Sequence, residues 1–220
     1  KALFYGQYER TRSYFQNSEM AATGLPGPDE MKLLEPFRAD LPPEVFTQEY
    51  NPPRGDESGN IRGNLRTASK LLTEAGWVIK DGKRINAKTG KPFAFEMLLV
   101  SPLFERIALP FAKNLEKLGI AMTVRTIDTA QYRRRLDTFD FDMVVGGFGQ
   151  SLSPGNEQRE FWTTSAADQE GSRNIIGIRS KAVDAIVEKL IAAPSRKDLV
   201  IASRALDRVL QWGHYMIPNW

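Results

Sequence analysis

Few residues in this sequence are suited to covalent or acid–base chemistry. The 220 residues include one histidine, His214, and no cysteine. Thiol nucleophiles, thiolate zinc sites and disulfide frameworks are thereby excluded. A lone imidazole works as a base only beside a nucleophile and an orienting group. Neither a Gly-x-Ser-x-Gly elbow nor a His-Glu-x-x-His pair occurs. Near Trp212, Tyr215 and Met216, His214 is expected to have a structural or buried role. Asp137, Asp140 and Asp142 lie close together but lack the glycine and terminal glutamate of a calcium loop. They are expected to solvate a turn, with Asp142 facing away from the buried side of its strand. No catalytic residue, metal ligand or cofactor is expected.

A segment better suited to binding than to catalysis is Val145-Gly146-Gly147-Phe148-Gly149-Gln150-Ser151. No Gly-Lys-Ser/Thr follows it, so it is not a phosphate loop, and its glycine spacing is not that of a dinucleotide fingerprint. Two readings remain. The glycines make a flexible turn, or they let a second backbone approach closely at the end of a buried strand. Ligands of open α/β sheets sit just beyond the carboxyl ends of strands. The second reading therefore predicts an extended peptide held by main-chain hydrogen bonds.

The elements that must carry this segment follow from periodicity. Prolines at 26, 28, 36, 42, 43, 52 and 53 break the first sixty residues into an irregular wrap. A short helix is expected within residues 5–22, and Leu33, Leu34, Phe37, Val45 and Phe46 must pack on something larger. Leu65, Ala68, Leu71, Leu72 and Ala75 recur at helical spacing up to Gly76. Asp81-Gly82 predicts a tight hairpin. Strands are expected over residues 93–100, 120–127 and 141–145. Between them come a helix bearing Phe104, Ile107, Ala108, Phe111, Ala112, Leu115 and Leu118, kinked or delayed by Pro110, and a second helix over residues 129–136. The order is β-α-β-α-β, an α/β core with parallel neighbours. A helical turn over residues 157–162 and two closing helices follow. One buries Val183, Ile186, Val187 and Leu190; the other is capped by Ser195 with Asp198. The segments read as 1–62 wrap, 63–150 α/β core, and 151–220 loop and C-terminal helices.

Charge adds mainly exclusions. Thirty basic and 27 acidic residues leave a net charge of +3. The only basic run, Arg133-Arg134-Arg135, fits a solvated helix face, and no nucleic-acid module accompanies it. No apolar run reaches the roughly 18–20 residues of a membrane span. The start without Met and the apolar end Ile217-Pro218-Asn219-Trp220 predict a piece cut from a longer chain.

Three stretches carry a family resemblance: Ser13-Tyr14-Phe15-Gln16-Asn17 continuing to Leu25-Pro26; Asn64-Leu65-Arg66-Thr67-Ala68 with Leu71-Leu72-Thr73-Glu74-Ala75-Gly76-Trp77; and Phe141-Asp142-Met143-Val144-Val145 continuing to Asn156-Glu157-Gln158. Together they resemble the extracellular solute-binding proteins of family five, the oligopeptide, dipeptide and nickel receptors of ABC importers, and most of all the Yej-type oligopeptide branch. The resemblance implies a periplasmic-binding-protein-like lobe with a mixed sheet and flanking helices. It makes 1–220 a single lobe, the second and inserted one of two, whose missing first lobe belongs to the same chain. It also implies a periplasmic location, a peptide ligand and the membrane permease subunits of an importer as partners. In the family, an aromatic and an acid follow the equivalent strand, and the acid pairs with the peptide ammonium. Phe148 matches the aromatic, but the acid position falls near the uncharged Ser151. Glu157 either replaces that acid or opens the next helix. The candidate contacts are Gly147, Phe148, Gly149, Gln150, Ser151, Asn156 and Glu157, with Tyr14 and Phe15 as either contacts or aromatic core. A receptor of the same fold for a sugar or opine-like solute, and a small α/β hydrolase, are the alternatives.

Overall fold

The computed structural model describes residues 5–55 and 59–220, so residues 1–4 and 56–58 lie outside it. In chain order the described residues form helices α1 (Pro28–Leu34), α2 (Glu44–Thr47) and α3 (Arg62–Glu74), then strands β1 (Trp77–Lys80), β2 (Lys83–Asn86) and β3 (Ala94–Leu99). Helix α4 (Glu105–Glu116), β4 (Ala121–Thr126), α5 (Thr129–Asp137) and β5 (Met143–Val144) follow, and then α6 (Glu157–Trp162), α7 (Lys181–Ile191) and α8 (Arg196–Trp212). They fall into two compact units. The first is Pro53–Gly146 with the described residues before Tyr8, and the second is Tyr8–Pro52 with Gly147–Trp220. The sequence segments 1–62, 63–150 and 151–220 follow changes in local pattern, whereas each unit gathers stretches distant in sequence.

The first unit contains the expected β-α-β-α-β. Its sheet has the order β4-β3-β5, all parallel. Leu98 and Leu99 at the end of β3 are buried, as are Ala108 and Ala112 on α4. Helix α4 runs through Pro110 and begins after a 3-10 turn, Pro102–Phe104, whose Ser101 hydroxyl accepts from the Leu103 amide at 3.3 Å. Strand β5 is shorter than residues 141–145, because only Met143 and Val144 pair with β3. Asp142 is not a free turn solvator: its Oδ2 accepts the Glu96 amide of β3 at 2.9 Å. Parallel and antiparallel pairing occupy separate sheets, since β1 and β2 form a hairpin of their own. The turn between them places Asp81 and Gly82 at φ 50° and 75°, the left-handed pair that such a two-residue turn requires.

Arg84 locks that hairpin. It is 1% exposed, and its guanidinium donates to the Leu118 and Trp77 carbonyls at 2.9 and 3.2 Å and to the Ser69 and Thr73 hydroxyls at 3.0 and 3.4 Å. The charge thus rests on oxygens near the C-terminal ends of α3 and α4, where helix dipoles favour a cation. Gly119 makes this approach possible. At φ +77°, a Cβ there would lie 2.8 Å from the Arg84 nitrogen.

In the second unit, α7 and α8 form the backbone of a core with Phe161 and Trp162 of α6, Leu34 of α1, and Val45 and Phe46 of α2. The expected helix within residues 5–22 does not form. Its residues make turns instead, because their backbone groups find partners on α8. The Asp207 carboxylate accepts from the Tyr14 and Ala22 amides at 2.8 Å and from the Ser13 hydroxyl at 2.7 Å. Arg204 donates to the Glu19 carbonyl at 2.8 Å, and Gln211 to the Arg12 carbonyl at 2.8 Å. Arg208 donates to the Thr23 and Gly24 carbonyls and pairs with the buried Glu30 at 2.8 Å. A polar stripe on one helix thus substitutes for the hydrogen bonds that a local helix would have made.

Candidate functional site

The glycine-rich loop, residues 147–156, lies in the second unit and is pinned from within by side chains. Phe148 packs on Trp162 with ring centroids 4.5 Å apart and on Phe161 at 5.6 Å. Gln158 is wholly buried, and its Nε2 donates to Gln150 Oε1 at 2.7 Å. Glu157 Oε1 accepts the Gly155 amide at 2.9 Å, and the Asn156 side-chain oxygen accepts from Arg159 at 2.8 Å. Arg196 reaches the Leu152 carbonyl while pairing with Glu19.

The main chain of the first half of this loop, residues 147–151, is left bare. Among the described residues, the amides of Gly147, Phe148, Gly149, Gln150 and Ser151 donate to no protein acceptor. Gly147, Gly149 and Ser151 are exposed. The glycines themselves are informative. Gly147 and Gly149 have no left-handed φ, and a Cβ at either would meet nothing within 4 Å. Gly119, by contrast, is required by both conformation and crowding. Among the described residues, neither backbone conformation nor crowding demands glycine at 147 or 149.

The candidate residues divide accordingly. Gly147, Phe148, Gly149, Gln150, Ser151, Asn156 and Glu157 share one loop and the first turn of α6. Phe15 is 1% exposed and Tyr14 packs edge-on to Trp162 at 5.3 Å; both belong to the core. Burial, and after it the neighbouring Tyr50, Asp207 and Tyr215, raise the Tyr14 phenol well above its ordinary range. Burial opposes ionisation of Glu157, but the Gly155 amide, its own amide and the Gln158 side chain hold its carboxyl below the usual range. Glu157 is therefore an anion engaged with its own loop. His214 is exposed rather than buried, and its ring lies 6.0 Å from Trp212 and 6.1 Å from Tyr50. Asp137 and Asp140 pair with Arg133 and Arg135, and no cluster of metal-ligating side chains occurs among the described residues. Gln158, Trp162 and Arg196 hold the loop and were not singled out from sequence. The signal available was Gln158 itself, a polar residue one helical turn before the large apolar Trp162.

The family described as bacterial extracellular solute-binding proteins, family 5 Middle, matches residues 1–170. An uncharacterised protein of Sinorhizobium fredii is 47% identical over 218 residues, 99% of this chain and 33% of that protein. The probable peptide-binding protein YejA of Agrobacterium fabrum is 45% identical over 220 residues, covering 100% of this chain and 36% of that one. The chain thus spans about a third of the length of these relatives. Among solved structures, the oligopeptide-binding protein AppA of Bacillus subtilis, in complex with a nonapeptide, superposes with a TM-score of 0.61 at 18% identity, covering 85% of this chain and 38% of that one. At that identity the likeness concerns the fold, which is of the periplasmic-binding-protein kind.

Proposed function

The chain belongs to the bacterial extracellular solute-binding proteins of family 5, and from that membership we propose that it is one lobe of the periplasmic peptide receptor of an ABC importer. The receptor binds without turnover. It closes this lobe and the other lobe of the longer protein around a peptide, and hands the peptide to the membrane permease subunits. One observation carries the reading: the loop after β5 is fixed by its side chains and offers unpaired main-chain donors over residues 147–151, a run that includes two glycines whose Cβ space is empty. An extended peptide pairs with such a backbone whatever its side chains, which gives broad specificity. The relative named as a probable peptide-binding protein supports the choice of a peptide over other solutes.

Native mass spectrometry of the full-length protein, purified from cells grown in rich medium, tests this. Retained, uncleaved peptides are the expected result. A retained sugar or opine-like compound would replace the peptide reading with a receptor for that solute, and cleavage of a mixed peptide library would favour a hydrolase. The 220-residue chain alone supplies part of the pocket, so submicromolar peptide binding by it would also contradict the two-lobe reading.

A further inference from the structure

Six arginines lie between Gly147 and Trp220, and five of them are committed to oxygens of the protein. Arg159 pairs with Glu188, Arg179 with Asp168, Arg196 with Glu19 and Arg208 with Glu30, while Arg204 donates to the Glu19 carbonyl. The sixth, Arg173, has no acceptor among the described residues. It is exposed, yet it is not loose: its guanidinium carbon sits 4.3 Å from the centre of the Phe161 ring, over its face. The same ring, 1% exposed, packs on Phe148 of the glycine-rich loop. One buried ring therefore holds both the aromatic side chain of the loop and an unpaired cation. Stacking occupies the face of a guanidinium and leaves its in-plane N–H donors free. An arginine held in this way presents a planar fork that matches a carboxylate.

We propose that Arg173 is a specificity-determining residue, a preset cation beside the glycine-rich loop that binds a carboxylate of the ligand and makes the receptor prefer peptides carrying one within its reach. The carboxylate is that of an acidic side chain or of the peptide C-terminus. This rests on the peptide-receptor reading and adds to it a selectivity that backbone pairing, blind to side chains, does not supply. Glu157, at the end of the loop, is engaged by the Gly155 amide and the Gln158 side chain and forms no pair with Arg173, so the guanidinium is open to an anion from outside.

Calorimetric titration of the full-length protein with Ala-Glu-Ala, Ala-Gln-Ala, tri-alanine and tri-alanine amide tests the subsite. The parent should bind at least one carboxylate peptide about tenfold more tightly than its neutral counterpart. A preference for Ala-Glu-Ala over Ala-Gln-Ala identifies an acidic side chain as the group bound; a preference for tri-alanine over its amide identifies the C-terminus. Arg173→Gln should remove that preference by weakening the carboxylate peptide, with the neutral one staying within about twofold. Arg173→Lys, which keeps the charge but not the fork, should retain part of the preference. Arg179→Gln removes an equal charge that is already paired with Asp168 and should leave it intact. Should Arg173→Gln fail to fold, Arg173→Lys and the preference of the parent decide. A parent indifferent to both carboxylates, a preference that survives in Arg173→Gln, or one lost equally in Arg179→Gln would overturn the subsite while leaving the receptor intact. Failure of the parent to bind any of the four peptides would overturn the receptor reading and the subsite with it.

Discussion

Two irregular stretches of the second unit, the wrap over residues 12–30 and the loop over residues 147–156, solve the same problem in opposite ways. Both lack the regular pairing of helix or sheet over most of their length. In the wrap, backbone groups are satisfied by buried side chains of α8: Asp207, Arg208 and Gln211, joined by Arg204. In the loop, side chains are anchored while the backbone between Gly147 and Ser151 is unpaired. Irregular chain is therefore not one class of structure. Where the main chain is paired, the irregularity belongs to the architecture; where it is bare and exposed, the irregularity is available for recognition.

The sharpest way to break the contrast is to unpair the wrap. Arg208→Met leaves Glu30 as a buried carboxylate without its cation and orphans two carbonyls. We expect a loss of about 3–5 kcal/mol in urea unfolding of the full-length protein. Adding Glu30→Met should recover the part due to the unpaired carboxylate and leave the cost of the two orphaned carbonyls. If the single variant unfolds like the parent, the wrap is not held by α8.

Acidity probes the same clamp. Burial raises the Asp207 carboxyl from 3.8 to about 6, against the pull of the Ala22, Ser13 and Tyr14 donors and the Arg208 charge. A carboxyl raised on folding favours the native state when protonated, and that contribution is lost as pH climbs from about 3.8 to about 6. The loss over this window is about 3 kcal/mol. It appears as a difference in the pH dependence of stability between the parent and Asp207→Asn, whose curve should be the flatter. Glu157, with its lowered carboxyl, acts in the other direction, losing its contribution as pH falls through its folded value. Parallel curves for the two proteins would place the titration elsewhere.

The loop should respond in the opposite sense. Gly147→Ala and Gly149→Ala meet open space and ordinary backbone angles, so stability should change by less than about 0.5 kcal/mol. Their effect belongs in ligand affinity, where a Cβ obstructs an approaching backbone; tri-alanine binding to the full-length protein should fall about tenfold. A large drop in melting temperature with unchanged affinity would reverse the assignment of roles. The smallest effect is expected for Ser151→Ala, which removes only an exposed bond from the Ser153 amide at 3.1 Å, within about 0.5 kcal/mol of the parent.

What the sequence made legible was local. The Asp81-Gly82 turn, the β-α-β-α-β order, the Ser195 cap and the apolar stripes of α7 and α8 all depend on residues within a few positions of one another, and each appears in the structure. The glycine loop was legible for the same reason. The expected helix within residues 5–22 was not, because the groups that replace its hydrogen bonds lie 185 to 199 residues away and no local pattern announces them. Nor was the contact between Gln150 and Gln158, since Gln158 is held by Trp162 only once α6 has formed. His214 was expected among its apolar neighbours, but at φ 51° the chain turns there and leaves the ring exposed.

The long reach of that clamp also bears on the order of assembly. Ser13 and its partner Asp207 are 194 positions apart. At bacterial synthesis rates, roughly 10–40 s separate the moments at which the two are made. Until α8 exists, Phe15 and Met20, which end up fully enclosed, have no surface to settle on and remain available to chaperones. The part of this unit that is translated first is thus among the last to become native, and truncation anywhere before residue 207 should leave it unfolded.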